Sequence, residues 1–529
     1  MKNENKSVKP IPQQLLLALS FVEGACVMVA ELAGGKMLAP FFGSSLYVWA
    51  STLAITLGAL TLGYYIGGEW SKLEQDKRKK RLFMVITIAS AMVIIMPVWA
   101  NMIMSKTIEM SFLSGMILSQ ILFLLPPIMG MGIVSPMIIS LLAETRESGK
   151  AAGLVYAIST FGGVLATLLT GFWLVPILGI AIPCVVIGTM LFLLNIYVLR
   201  PQKKTAIAGL VAIIIPSAMF IYNTRHTDTD KYDVLYHSEG MLGQVKVMDF
   251  PYSLKGQVMK TRCMLVNHNW QTWVKTEDAN FSMLFYTRFS KAIISTMPKD
   301  SKALLIGLGG GTVAKQLENH NVDYDAVEID GRLPEIAERF FGLEHAVDNT
   351  TIDDGRHYVN VCKKKYDLII LDALLGDSVP SHLLSLECFN KLKDLLNPDG
   401  KIFIEFDGYE DGSEGVAQQL LYNTIVKAGY KCQPYTSFPG HTKTDIMYVA
   451  TLGESNHYDT AQVVGDFYYP LSGPLSNFET VLNTTTTAFI SDDYPVVDFY
   501  LKERVAGFRR DYTLKYYEDF LFEGVPFYK

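Results

Sequence analysis

The stretch Ala303-Leu-Leu-Ile-Gly-Leu-Gly-Gly-Gly-Thr312, followed by Val327-Glu-Ile-Asp330, decides the fold of the second half of this 529-residue chain. A short apolar run ending in Gly307, Gly309, Gly310 and Gly311 reads as a buried strand turning into a helix, where glycines let backbone come close to a ligand. Glu328 closes the next apolar run 21 positions after Gly307, a place from which a carboxylate accepts hydrogen bonds from ribose hydroxyls. The dinucleotide spacing G-x-G-x-x-G fails because its third glycine would fall at Thr312, and no Gly-Lys-Ser/Thr ending marks a phosphate loop. The turn suits a nucleoside cofactor without phosphates, such as S-adenosylmethionine or its decarboxylated form. On these residues alone, a dinucleotide site and a purely structural turn stay open.

Strands and helices alternate outward from this turn. Strands are expected at 303–308, 325–329, 350–352, 367–371 and 401–406, with helices at about 334–341 and 382–396. That alternation predicts parallel pairing, with ligands at the carboxyl ends of the strands. Acidic residues reach that edge at four places: Glu328, Asp330, the pair Asp353 and Asp354, and Asp372. Any one of them alone reads as a helix cap or a loop residue. Together they form an acidic cradle suited to a sulfonium cofactor and an amine substrate. Upstream, 231–274 alternates as short antiparallel strands, and a helix at about 279–296 is expected from the spacing of Phe281, Leu284, Phe285, Phe289, Ala292 and Ile293.

The first 222 residues are of another kind. Seven apolar runs, at about 13–34, 46–68, 82–104, 115–142, 152–175, 178–199 and 205–222, have the length needed to cross about 30 Å of hydrocarbon. Fourteen Lys and Arg flank these runs on the side of the N-terminus, against Lys36 and Lys106 on the other, which places the N-terminus in the cytoplasm. Seven crossings would then put the remainder outside, whereas adenosyl cofactors are kept in the cytosol, so the side of the second half stays open. The membrane is expected to be the cell (inner) membrane. Gly58, Gly63, Gly162, Gly163 and Gly171 are expected at close helix contacts. Glu23 and Glu31 in the first span are functional candidates, because carboxylates at membrane depth are costly. Glu31 pairing with Lys36 is the plainer reading, and a cation or amine path the sharper one.

A net charge of −6 argues against nucleic acid as partner, and six cysteines without C-x-x-C spacing indicate neither a disulfide frame nor a metal site. The fold expected is a multi-pass helical membrane domain of about seven spans (1–222) and a small β subdomain (223–278). An α/β Rossmann-like domain of the S-adenosylmethionine-dependent transferase type (279–452) and a C-terminal extension (453–529) follow.

The sequence resembles spermidine synthase and the other polyamine aminopropyltransferases, and more closely the bacterial membrane-fused spermidine-synthase-like proteins. The resemblance is carried by Leu304-Leu-Ile-Gly-Leu-Gly-Gly-Gly311, Val327-Glu-Ile-Asp330, Asp353-Asp-Gly355, Tyr366-Asp-Leu-Ile-Ile-Leu-Asp372, Gly243-Gln244 and Asn269-Trp-Gln271. Glu31–Gly43 with Tyr47-Val-Trp49, and Ser491-Asp-Asp-Tyr-Pro495, resemble the fused group. It implies that Gly307, Gly309, Gly311, Glu328, Asp353, Asp354, Gly355 and Gln271 hold the cofactor, Glu328 at the ribose and Asp354 at the adenine amine. Gln244 and Asp377 would line the substrate side, and Asp372 would take the proton of the attacking amine. The sequence departs from the family at three points. The family's aspartate in the turn falls at Gly310, its Tyr-His pair near Met283-Leu284, and the second aspartate of its D-x-x-D at Leu375. Methyl or aminocarboxypropyl transfer from S-adenosylmethionine, and a non-catalytic polyamine or nucleoside sensor, therefore stay open. A homo-oligomer is compatible with the family.

Overall fold

The computed structural model describes residues 11–224, 232–240, 242–254, 256–373, 380–410, 415–441, 443–453, 460–483, 486–494, 496, 497, 499–501 and 507. The chain forms two compact units, one holding residues 1–227 and 238–243, the other essentially 228–237 and 244–523.

The first unit is helical: α1 (Gln13–Phe42), α2 (Leu46–Ser71), α3 (Gln75–Thr107), α4 (Phe112–Phe123), α5 (Leu125–Leu142), α6 (Ser148–Leu169), α7 (Val175–Leu178), α8 (Ala181–Leu199) and α9 (Lys203–Thr224). Among the described residues, six helices are long and apolar enough to cross a membrane: α1, α2, α3, α5, α6 continued through α7, and α8. The expected run at 115–142 is divided at Leu124, where Pro126 and Pro127 have no N–H to continue the helical ladder. The run at 205–222 lies in α9, which is not among the six.

Close helix approach occurs at three of the five expected glycines. A Cβ on Gly162 would stand 2.2 Å from the Phe21 carbonyl oxygen, one on Gly63 2.4 Å from that of Met129, and one on Gly163 2.9 Å from Met28. Gly58 and Gly171 meet nothing within 4 Å. The packed face of α2 is Thr52, Thr56, Ala59, Gly63 and Gly67, from which Gly58 points away, and Gly171 lies in the π-helical turn between α6 and α7.

The second unit opens with a meander of β1 (Asp233–Ser238), β2 (Val245–Leu254), β3 (Gln257–Val266), β4 (Asn269–Lys275) and β5 (Asp278–Ser282), paired in that order. The helix expected at 279–296 is confined to α10 (Tyr286–Ile294). Its front part is β5, drawn into the sheet by antiparallel pairing of Ser282 with Val274 and Asp278 with Lys275, which overrides the helical spacing.

The core follows as β6 (Lys302–Ile306), α11 (Thr312–Asn319), β7 (Asp323–Glu328), α12 (Leu333–Phe341), α13 (Ala346–Asn349), β8 (Thr350–Ile352), α14 (Gly355–Val361), β9 (Tyr366–Leu371), α15 (Leu386–Lys393), β10 (Leu396–Tyr409), α16 (Val416–Lys427), β11 (Lys431–Thr436) and β12 (Lys443–Thr451). The sheet runs β11-β12-β10-β9-β6-β7-β8, with β10, β9, β6, β7 and β8 parallel and the far edge antiparallel. The chain winds one way from β6 through β7 to β8 and the other way through β9 to β10. The point of reversal, outside the carboxyl ends of β6 and β9, is where such sheets hold ligands. Both faces carry an apolar layer, one around Leu304, Ile369, Phe389 and Leu420, the other around Leu305, Ile370, Phe289 and Met447.

Gly307 sits at that reversal with φ +94°, and a Cβ there would lie 2.1 Å from the Asp372 carbonyl oxygen. Gly307→Ala is expected to lower stability by more than about 2 kcal/mol, through a strained φ and a backbone collision. Thermal melting of the full-length variant checks this, and an unchanged transition would contradict the packing described.

Candidate active site

The glycine turn is built against the small sheet. Gly307 donates its N–H to Val327 O at 2.9 Å, and Gly309 and Gly311 take left-handed φ of +57° and +81°. Gly310 N–H donates to Thr272 Oγ1 at 2.8 Å, and a Cβ on Gly310 would fall 2.6 Å from that same oxygen. The position at which the resemblance expects an aspartate is thus filled from β4 by a buried threonine. Gln271, next to it, is half-buried, its carbonyl oxygen 3.8 Å from a Cβ built on Gly309.

Glu328, at the carboxyl end of β7, is 6 % exposed, and its two oxygens divide the local backbone donors. Oε2 accepts Leu308 N–H and Oε1 accepts Asp330 N–H, each at 2.9 Å. Burial raises its pKa above the usual carboxylate value, and the backbone donors oppose that rise. Each oxygen keeps a lone pair, so a pair of neighbouring hydroxyls can be accepted without rearrangement. Asp330 has a structural role: it takes Arg332 in a two-oxygen ion pair, with Nη2 at 2.5 Å from Oδ2.

Asp353 and Asp354 stand one strand further along. Asp353 N–H donates to Glu328 O, while its carboxylate accepts Asp354 N–H at 2.8 Å and lies 2.6 Å from His357 Nδ1. Asp354 caps α14, Oδ1 accepting from the N–H groups of Arg356 and His357 at 2.8 and 3.0 Å. Its Oδ2 faces His382 Nε2 at 3.3 Å. Capping and ligand binding are compatible, since each uses a different oxygen. A Cβ on Gly355 would press to 2.6 Å from Ile306 Cγ2, so this turn packs on β6 only as glycine.

Asp372 follows β9, across the reversal point from the turn. Its N–H donates to Ile306 O at 2.9 Å, and its Oδ2 accepts the phenolic hydroxyl of Tyr286 at 3.0 Å. Burial pushes its pKa up to about 6; the charge of Glu328 adds to the rise and the Tyr286 hydrogen bond opposes it. Tyr286 is itself raised, first by burial and then by the charges of Asp372 and Glu405. Glu405 and Asp445, on the adjacent strands β10 and β12, alternate with Ile404, Phe406 and Ile446 of one apolar layer, and so face the α10 side with Tyr286.

Sequence reading missed Tyr286, Glu405 and Asp445. Tyr286 lies three residues beyond the position the resemblance assigns to a tyrosine, and only the shortened helix brings it opposite Asp372. Gln244 is buried, its Oε1 2.7 Å from His268 Nε2 and its N–H bonded to Asn267 Oδ1. Asp377 and Leu375 lie outside the described residues.

Residues 289–435 match the spermine/spermidine synthase domain family, and the chain carries that domain. A probable polyamine aminopropyl transferase of Bifidobacterium longum is 24 % identical over 212 residues, 40 % of this chain and 44 % of the relative. A polyamine aminopropyltransferase of Vibrio vulnificus is 37 % identical over 125 residues, 22 % of this chain and 40 % of the relative. The chain thus spans less than half the length of both. Polyamine aminopropyltransferase 2 of Aquifex aeolicus is 22 % identical over 455 residues, 82 % of this chain and 85 % of the relative.

The raised Asp372 has a stability consequence. A carboxyl that holds its proton more tightly when folded weakens the fold as pH rises from its unfolded value, about 4, to about 6. Asp372→Asn, which keeps the acceptor for Tyr286, is expected to be more stable than wild type by about 1–3 kcal/mol at pH 7 and equal to it near pH 3. Denaturant unfolding at the two pH values reads this directly, and equal stability at pH 7 would contradict the raised carboxyl.

Proposed function

We propose that this chain, which carries a spermine/spermidine synthase domain, is a membrane-bound aminopropyltransferase acting on an amine. The pairing of Asp372 with Tyr286, across the sheet reversal from the glycine turn and Glu328, carries this reading. The donor is decarboxylated S-adenosylmethionine. Glu328 takes its ribose hydroxyls, Asp353 and Asp354 flank the adenine, and the open backbone of Gly307, Gly309 and Gly311 lies against the nucleoside, with Gln271 beside it.

The acceptor amine must be neutral at nitrogen to attack. Asp372, half-ionised near pH 6 and oriented by Tyr286, takes the proton that the nitrogen sheds as the new C–N bond forms and the C–S bond breaks. The thioether nucleoside leaves as methylthioadenosine. Glu405 and Asp445, on the α10 side with Tyr286, add negative charge to that of Asp372, which favours an acceptor with a second cationic amine; Gln244 and Asp377 remain substrate candidates.

A second reading is favoured by Thr272. Its hydroxyl occupies the place of a carboxylate at the turn, and without that negative charge the carboxylate of intact S-adenosylmethionine is not repelled. Aminocarboxypropyl transfer then becomes available to the same machinery.

The helical unit belongs in a bilayer. Six crossings from a cytoplasmic N-terminus return the chain to the cytoplasm, where adenosyl donors are made, with α9 not crossing.

Full-length protein incubated with either donor and a series of diamines and polyamines is expected to release methylthioadenosine only when an amine is present. Release from the decarboxylated donor supports the first reading, release from the intact donor alone supports the second, and none from either contradicts both. Asp372→Asn should lower turnover by at least about 100-fold, and the wild-type rate should fall about tenfold per pH unit below pH 6. A reporter after Lys529 should be active in its cytosolic form; activity only of a periplasmic reporter would contradict the topology.

A further inference from the structure

The catalytic reading leaves unused the two carboxyls buried in the helical unit. Glu23, 2 % exposed, lies where α1, α5 and α6 cross, and its Oε2 accepts the hydroxyls of Ser135 on α5 at 3.3 Å and Ser159 on α6 at 3.1 Å. The crossing is tight: a Cβ on Gly24 would be 2.1 Å from the Ser159 carbonyl oxygen. Among the described residues no Lys, Arg or His pairs with Glu23. The titratable groups that sense its charge are Cys26 on α1 and Tyr64 on α2; Cys184 on α8 lies next to Cys26 and Tyr156 on α6 next to Tyr64, and none of the four is cationic.

Glu31 lies about 12 Å further along α1, at 1.5 Å rise per residue, and is 8 % exposed. The expected pair with Lys36 does not form; Lys36 Nζ stands 5.8 Å from the Trp49 ring. Gly35 meets Thr52 of α2, and one turn from that contact along each antiparallel helix come Glu31 and Thr56. Thr56 is 3 % exposed, and its hydroxyl has no partner among the described residues. Gln120, fully buried, gives its amide N–H to Ser51 at 2.7 Å, while its Oε1 has no partner among the described residues. Buried polar side chains therefore stand near both carboxyls, Thr56 by Glu31 and Ser135 with Ser159 at Glu23, and none of them carries a positive charge.

An ionised carboxylate in such surroundings, without a counter-ion, costs several kcal/mol, whereas a carboxylic acid does not. We propose that Glu23 and Glu31 form an intramembrane proton-binding site, each carboxyl holding a proton at neutral pH, so that the helical unit handles protons in addition to anchoring the chain. The ligand is the proton itself: glycine-mediated packing at Glu23 gives a larger cation little room, and the two serine hydroxyls on Oε2 leave Oε1 to carry it. The inference rests on the reading of this unit as membrane-embedded.

Flotation of the full-length chain with phospholipid vesicles, followed by infrared spectroscopy of the floated material, separates the two. The expected result is co-flotation and, at pH 7, a carboxylic-acid C=O band in the apolar range that is diminished in Glu23→Gln, diminished in Glu31→Gln and absent in the double variant. Ser135→Ala with Ser159→Ala, which keeps both carboxyls, should shift the Glu23 component by removing its hydrogen bonds. Co-flotation with an acid band unchanged in every variant overturns the proposal while sparing the membrane reading. Failure of the wild-type chain to float overturns both.

Discussion

The second unit depends on one close approach: the backbone of the glycine turn at Gly307 lies against the carbonyl of Asp372, with no space for a side chain between them. This contact joins the ends of β6 and β9 at the sheet's reversal. It fixes the distance between a turn suited to a nucleoside and a carboxylate suited to an amine. Around it the other pieces are placed by ordinary means. Backbone N–H groups hold Glu328, the start of α14 is capped by Asp354, and Tyr286 reaches Asp372 from the first turn of α10.

The electrostatics follow from the same geometry. Asp372 is half-buried beside Glu328 and, among the described residues, under one neutral hydrogen-bond donor, and withdrawal of its carboxyl from water raises its proton affinity into the range in which a carboxyl can take up a proton near neutral pH. Asp330, by contrast, is paired with Arg332 and has no such role. Glu328 and Asp330, two positions apart at the end of β7, likewise receive different tasks from their neighbours: backbone N–H groups hold the first, and Arg332 the second. A carboxyl that holds its proton more tightly when folded also weakens the fold near neutral pH, as expected of a residue kept for chemistry.

Much of this was legible in the sequence. The turn, Glu328, Asp353, Asp354 and Asp372 all lie at the expected edge because strand–helix alternation fixes which ends of the strands share a side. Gly58 and Gly171 were misplaced because a glycine in an apolar helix does not tell which face it occupies. Tyr286 was illegible for another reason: whether 278–282 pairs as strand or coils as helix is decided by β4, a neighbour supplied by the fold. Thr272 was equally hidden, since only the docking of the small sheet on the turn shows that it fills the space at Gly310.

A structure of the full-length chain bound to methylthioadenosine and a diamine tests the central claim most directly. The ribose hydroxyls are expected on Glu328, the thioether sulfur turned toward Asp372, and an amine nitrogen within hydrogen-bond distance of the Asp372 carboxylate. A nucleoside seated away from Gly307–Gly311, or an amine that leaves Asp372 and Tyr286 untouched, would contradict it.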